Sequence, residues 1–94
     1  MREKRTEKRI PLMARVDILW MDDKLTPRVT PATIEDRSHG GVSLRIKNSI
    51  SLGSHITIKS GTFQYSGIVT HTRHEKGGFT IGVKLLRRED PESK

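Results

Sequence analysis

Ninety-four residues carry 18 lysines and arginines against 11 carboxylates, for a formal charge of +7, and no cysteine. A chain this size is one domain that buries roughly 60–68% of its unfolded surface, leaving little room for a core and a deep catalytic pocket together. Lack of cysteine excludes disulfides and thiolate metal sites; there is neither a ~20-residue apolar run nor a signal-peptide core, so the expectation is a soluble cytoplasmic protein with anionic partners.

Residues 1–11 hold Arg2, Lys4, Arg5, Lys8 and Arg9 against Glu3 and Glu7 without apolar periodicity, and are expected to form a mobile basic segment. From Leu12 the period is two. Leu12, Ala14, Val16, Ile18 and Trp20 alternate with Met13, Arg15, Asp17 and Leu19, the pattern of a strand with one buried face. Asp22-Asp23-Lys24 and the stretch Pro27 to Pro31 are expected to break the first two strands, and Ala32 and Ile34 resume the alternation.

Gly40-Gly41 makes a tight junction into Val42–Ile46, and Asn48 to Gly53 precedes His55–Lys59. Ser60-Gly61 opens a longer run from Phe63 to Arg73, in which Gly67 is a candidate bulge. Lys76-Gly77-Gly78 leads into the last run, where Phe79, Ile81, Val83 and Leu85 alternate with Thr80, Gly82 and Lys84. Short strands at this spacing imply an all-β fold, and closing six of them into a barrel removes exposed edges. The expected organisation is a barrel over residues 12–86, flanked by the basic segment 1–11 and a charged tail 87–94.

Two clusters carry chemistry. Arg5-x-x-x-Arg9 alone is an ordinary basic end, yet arginine also offers planar forks for phosphate or for O6 and N7 of guanine. Asp36-x-Ser38-x-x-Gly41 alone is an ordinary hairpin turn. It also supplies a carboxylate for guanine N1–H and amine, a hydroxyl for phosphate, and glycines at Gly40 and Gly41 that let a ligand approach the backbone. Arg37 and His39 in the same turn are candidate further contacts, Arg37 equally readable as facing solvent and His39 more readily as solvated. Arg73 is another, if the strand alternates regularly through Val69 and His71, although a surface ion pair serves as well.

His39, His55, His71 and His74 complete no recognisable ligand spacing, so no metal is expected. Trp20 reads as a core plug, and Asp22 and Asp23 as a turn. No nucleophile–base pair or phosphate loop can be assembled, so no enzymatic activity and no cofactor are expected.

The two clusters, in this order and roughly two dozen residues apart, resemble the signature of the PilZ domain family, Arg-x-x-x-Arg followed by Asp/Asn-x-Ser-x-x-Gly. Arg5, Arg9, Asp36, Ser38 and Gly41 match it without substitution. Gly67-Ile68-Val69-Thr70-His71 and Phe79 to Leu85 look like the family's last two strands, so the likeness covers residues 4–86. It implies a six-stranded antiparallel PilZ-like β-barrel that binds the bacterial second messenger cyclic di-GMP. Arg5 and Arg9 would grip guanine and phosphate, Asp36 and Ser38 would address the guanine edge and neighbouring groups, and Gly41 would leave room for the ligand. Lys4 occupies a position that varies in the family and bears on whether one or two ligand molecules bind. Many members carry a C-terminal helix, whereas little or none is expected in the short charged tail here.

The implied function is noncatalytic binding of cyclic di-GMP, with the arginine segment closing over the ligand to signal to a protein partner. The competing readings are a small basic barrel for single-stranded nucleic acid and a degenerate member acting only in protein interaction. Nucleic acid is the less favoured partner, because Trp20, Phe63, Tyr65 and Phe79 are few and mostly fit core positions, whereas single-strand binders display stacking rings.

Overall fold

The alternating runs become six strands in the computed structural model, which describes residues 12–88. They are β1 (Arg15–Met21), β2 (Pro27–Ser38), β3 (Gly41–Ile46), β4 (His55–Lys59), β5 (Gln64–Glu75) and β6 (Gly78–Arg88). All pairings are antiparallel, and the order β1-β2-β3-β6-β5-β4 closes through β1 and β4 into a barrel. The expected all-β, six-stranded antiparallel barrel is therefore the fold. Among the described residues no helix is long and apolar enough to cross a membrane.

Period-two patterning fills the barrel. Val16 and Ile18 of β1, Ile34 of β2, Leu44 of β3, Ile58 of β4, Val69 of β5 and Ile81 of β6 are all buried, and Ile50 and Phe63 join this core from the connections. Trp20 packs against the core's edge, and its indole N–H donates to the hydroxyl of buried Thr30 at 3.1 Å. Burying an indole in this way satisfies its one donor.

Pro27 to Pro31 is not a break but the first part of β2, paired with β1 from Met21↔Pro27 to Asp17↔Pro31. Pairing of β2 with β3 begins only at Ala32. Residues 27–31 therefore form an edge, and Pro27 and Pro31 share one phase along it. The amide of Ile34 donates to Ala14, so the opposite phase bonds to β1 and neither proline is asked for an N–H. Leu12 is half exposed and precedes β1 rather than opening it, and β6 runs to Arg88, two residues past the expected boundary.

The β1–β2 turn is organised by Asp22. Its carboxylate accepts from the amides of Lys24 and Thr26 and from the guanidinium of Arg28, each at 2.9 Å. The Thr26 amide first, then Arg28, hold this carboxyl below its ordinary range.

Gly67 is not itself the extra residue of a bulge. The register shifts there because β6 carries one more residue, Leu86, opposite Ser66 and Gly67. Glycine is required for another reason: a Cβ at Gly67 would stand 2.5 Å from Val83 Cγ1 and 2.8 Å from the Lys84 carbonyl oxygen. Gly67→Ala is expected to destabilise the barrel by about 1–3 kcal/mol, read as a lower midpoint in urea denaturation.

Candidate functional site

The β2–β3 hairpin and the middle of β5 and β6 form a groove of about 580 Å³ on one side of the barrel. Asp36, Arg37, Ser38, His39, Gly40 and Gly41, six of the residues singled out in the sequence, all line it. Its volume lies within the range typical of small-ligand sites.

A β-bulge creates the site. Ile34 pairs with Leu44 and Asp36 pairs with Ser43, so Glu35 is an extra residue in β2. Strict alternation from Ile34 would aim Asp36 into the core, where an unpaired carboxylate is strongly disfavoured. The bulge moves Asp36, and with it Ser38, to the outer face beside Ser43, and both are exposed. Oδ1 of Asp36 accepts from the Arg37 amide at 2.8 Å, which orients the carboxylate.

Two cross-strand rows then define the walls. One runs Asp36–Ser43–Gly82–His71 and the other Ser38–Gly41–Lys84. Residues directly opposite share a face, so Gly41 and Gly82, lacking side chains, lower the floor between the rows, and the His71 ring leans over Gly82, its Nδ1 3.2 Å from where a Cβ there would stand. A carboxylate and a hydroxyl stand on one side, and an imidazole and an ammonium on the other. At Gly41 a Cβ would lie 2.9 Å from the Val83 carbonyl oxygen, so glycine also lets β3 and β6 approach closely. Gly40, at φ +83°, makes the hairpin turn in the left-handed region, and its carbonyl accepts from the Leu85 amide at 2.8 Å.

The far wall rests on a second bulge. Val69 pairs with Val83 and His71 with Gly82, leaving Thr70 as the extra residue of β5. Val69 therefore points inward while His71 turns out, and the regular alternation expected through Val69, His71 and Arg73 does not hold. The Thr70 hydroxyl lies 3.1 Å from Nδ1 of His71 and donates to the Gly82 carbonyl at 3.4 Å. These contacts fix the orientation of the His71 ring at the wall of the groove.

Arg73 does not line this groove. It sits two residues further along β5, opposite Thr80, and its guanidinium pairs with Glu75 at 2.7 Å. Lys4, Arg5 and Arg9 lie outside the described residues. The chain reaches the described region at this end of the barrel: the Met13 amide donates to the Ile34 carbonyl at 2.6 Å, two residues before Asp36.

Sequence reasoning did not place Ser43, Thr70, His71 and Lys84 at the site. Lys84 was legible as an outward residue of the last strand, but only the register sets it across from Gly41. His71 drew attention solely as a metal candidate; among the described residues no group of three His, Cys, Asp or Glu side chains is placed to hold a metal. The aromatic rings serve the interior, since Trp20, Tyr65 and Phe79 pack on the core and Phe63 belongs to it. No family model matches this chain, and comparison with curated proteins and with solved structures gave no match either.

Proposed function

We propose that this chain is a noncatalytic receptor for cyclic di-GMP. The observation that carries the reading is the trough itself: Asp36 and Ser38, brought outward by the Glu35 bulge, face His71 and Lys84 across a floor of two glycines. The Asp36 carboxylate accepts from N1–H and the exocyclic amine of a guanine, an edge adenine does not offer. Lys84 and Ser38 meet phosphate oxygens, and the His71 imidazole hydrogen-bonds a remaining polar group of the ligand.

The arginine segment completes the site. Covalent geometry keeps Arg9 within about 11 Å of Leu12, at the end of the barrel where the trough opens. Arg5 and Arg9 then close over the ligand, pairing with phosphate and the guanine Hoogsteen edge. Ordering this segment on binding converts ligand occupancy into a changed surface for a downstream protein. The reading places the protein in the bacterial cytoplasm, where the messenger is made.

Titration calorimetry of the whole chain with cyclic di-GMP tests the proposal. Saturable heat with a dissociation constant of about 1 µM or tighter, equivalent to roughly −8 kcal/mol, is the expected result. No heat, or equal affinity for cyclic di-AMP, contradicts it.

A further inference from the structure

We propose that the outer wall of the barrel carries a second anion site, which binds flexible single-stranded nucleic acid through its phosphodiester backbone. The register builds it. Arg15 of β1 lies opposite Thr33 of β2, Thr33 opposite Arg45 of β3, Arg45 opposite Thr80 of β6, and Thr80 opposite Arg73 of β5. Arg15 adjoins buried Val16, Thr33 sits between buried Ala32 and Ile34, and Arg45 between buried Leu44 and Ile46, so the row faces out. With strands ~4.8 Å apart, a guanidinium recurs about every 10 Å with a hydroxyl between, over roughly 19 Å in all.

A groove deepens this row. Where β3 ends and the edge of β2 continues, a space of about 520 Å³ is lined by Arg15, Thr33, Arg45, Lys47 and Asn48, among others, and among the described residues no carboxylate lines it. Among the described residues, Arg45 pairs with Glu35 at 3.6 Å and Arg73 with Glu75 at 2.7 Å. Both pairs lie at the surface, where such contacts are weak and exchange readily for other anions.

Curvature selects the partner. The row crosses five of the six strands of a closed barrel, so its three arginines point in different directions round the circumference. A flat bilayer or a stiff duplex touches one side of such a wall, whereas a single strand bends round it. The rings that would stack bases are taken up by the core, so contact is to phosphate and sequence-independent. Among the described residues this site shares none with the trough, and it stands whether or not cyclic di-GMP binds there.

Fluorescence anisotropy of the whole chain with a labelled oligothymidine of about 20 nucleotides is the test. Binding is expected to weaken with salt. The substitutions Arg15→Gln, Arg45→Gln and Arg73→Gln together make the log–log salt slope shallower by about 2, at ~0.7 per phosphate contact. Affinity falls at least tenfold. The pair Arg15→Gln with Arg73→Gln keeps the bond from Arg45 to the Lys76 carbonyl and makes the slope shallower by about 1.4, which covers any misfolding of the triple variant. An unchanged slope in the pair, no binding at all, equal affinity for a duplex, or stronger binding to phosphatidylserine vesicles each overturns the proposal.

Discussion

Asp36→Ala is expected to weaken cyclic di-GMP binding about 10- to 100-fold while leaving thermal unfolding nearly unchanged. A side chain that pairs twice with one base edge supplies about 1–3 kcal/mol of discrimination, and 1.4 kcal/mol is roughly a factor of ten. The fold loses little, because Asp36 is exposed and, among the described residues, its carboxylate bonds to the adjacent Arg37 amide, which water replaces. Asp36→Asn keeps one acceptor and falls between the two. Calorimetry gives the affinities and a melting curve gives the control. A large loss of stability alongside the loss of binding would assign Asp36 to the fold rather than to the ligand.

The largest stability effect is expected at Leu44. It is fully buried at the centre of β3, between β2 and β6, and is in register with Ile34 and Ile81, which are also fully buried. Truncation to alanine removes transfer free energy and leaves a cavity, together about 3–5 kcal/mol. A domain of 94 residues has only roughly 5–14 kcal/mol in total. Each kcal/mol shifts the midpoint by roughly 4–8 °C in a domain of this size, so Leu44→Ala should melt about 12–40 °C lower. Calorimetric or circular-dichroism melting measures this directly. A shift of only a few degrees would mean that the barrel interior collapses around the cavity.

The fold was legible because alternation survives wherever a strand has one face in the core. Val16 and Ile18, Val42, Leu44 and Ile46, Ile56 and Ile58, and Ile81 and Val83 are all buried as their period predicts. Prolines misled at residues 27–31, since a sequence does not say which strand segments lie at an edge and need no donor. The near wall of the site was legible too, because Asp36 to Gly41 is contiguous. What a sequence does not display is the register. The bulge at Glu35 that turns Asp36 outward, the bulge at Thr70 that turns His71 outward, and the pairing that sets Lys84 opposite Gly41 are contacts between distant segments. Of the two readings open for Arg73, the surface ion pair is the one the structure shows, because it lies two residues beyond His71 and pairs with Glu75.

The most direct test of the central claim is a two-dimensional amide NMR titration of the whole chain with cyclic di-GMP. The account predicts that saturating shifts concentrate at Asp36 to Ser43, at Thr70 and His71, and at Gly82 to Lys84. Amides at the distant β1–β2 turn, around Asp22 and Leu25, stay in place. Shifts centred elsewhere on the barrel, or a spectrum unmoved by excess ligand, would contradict it.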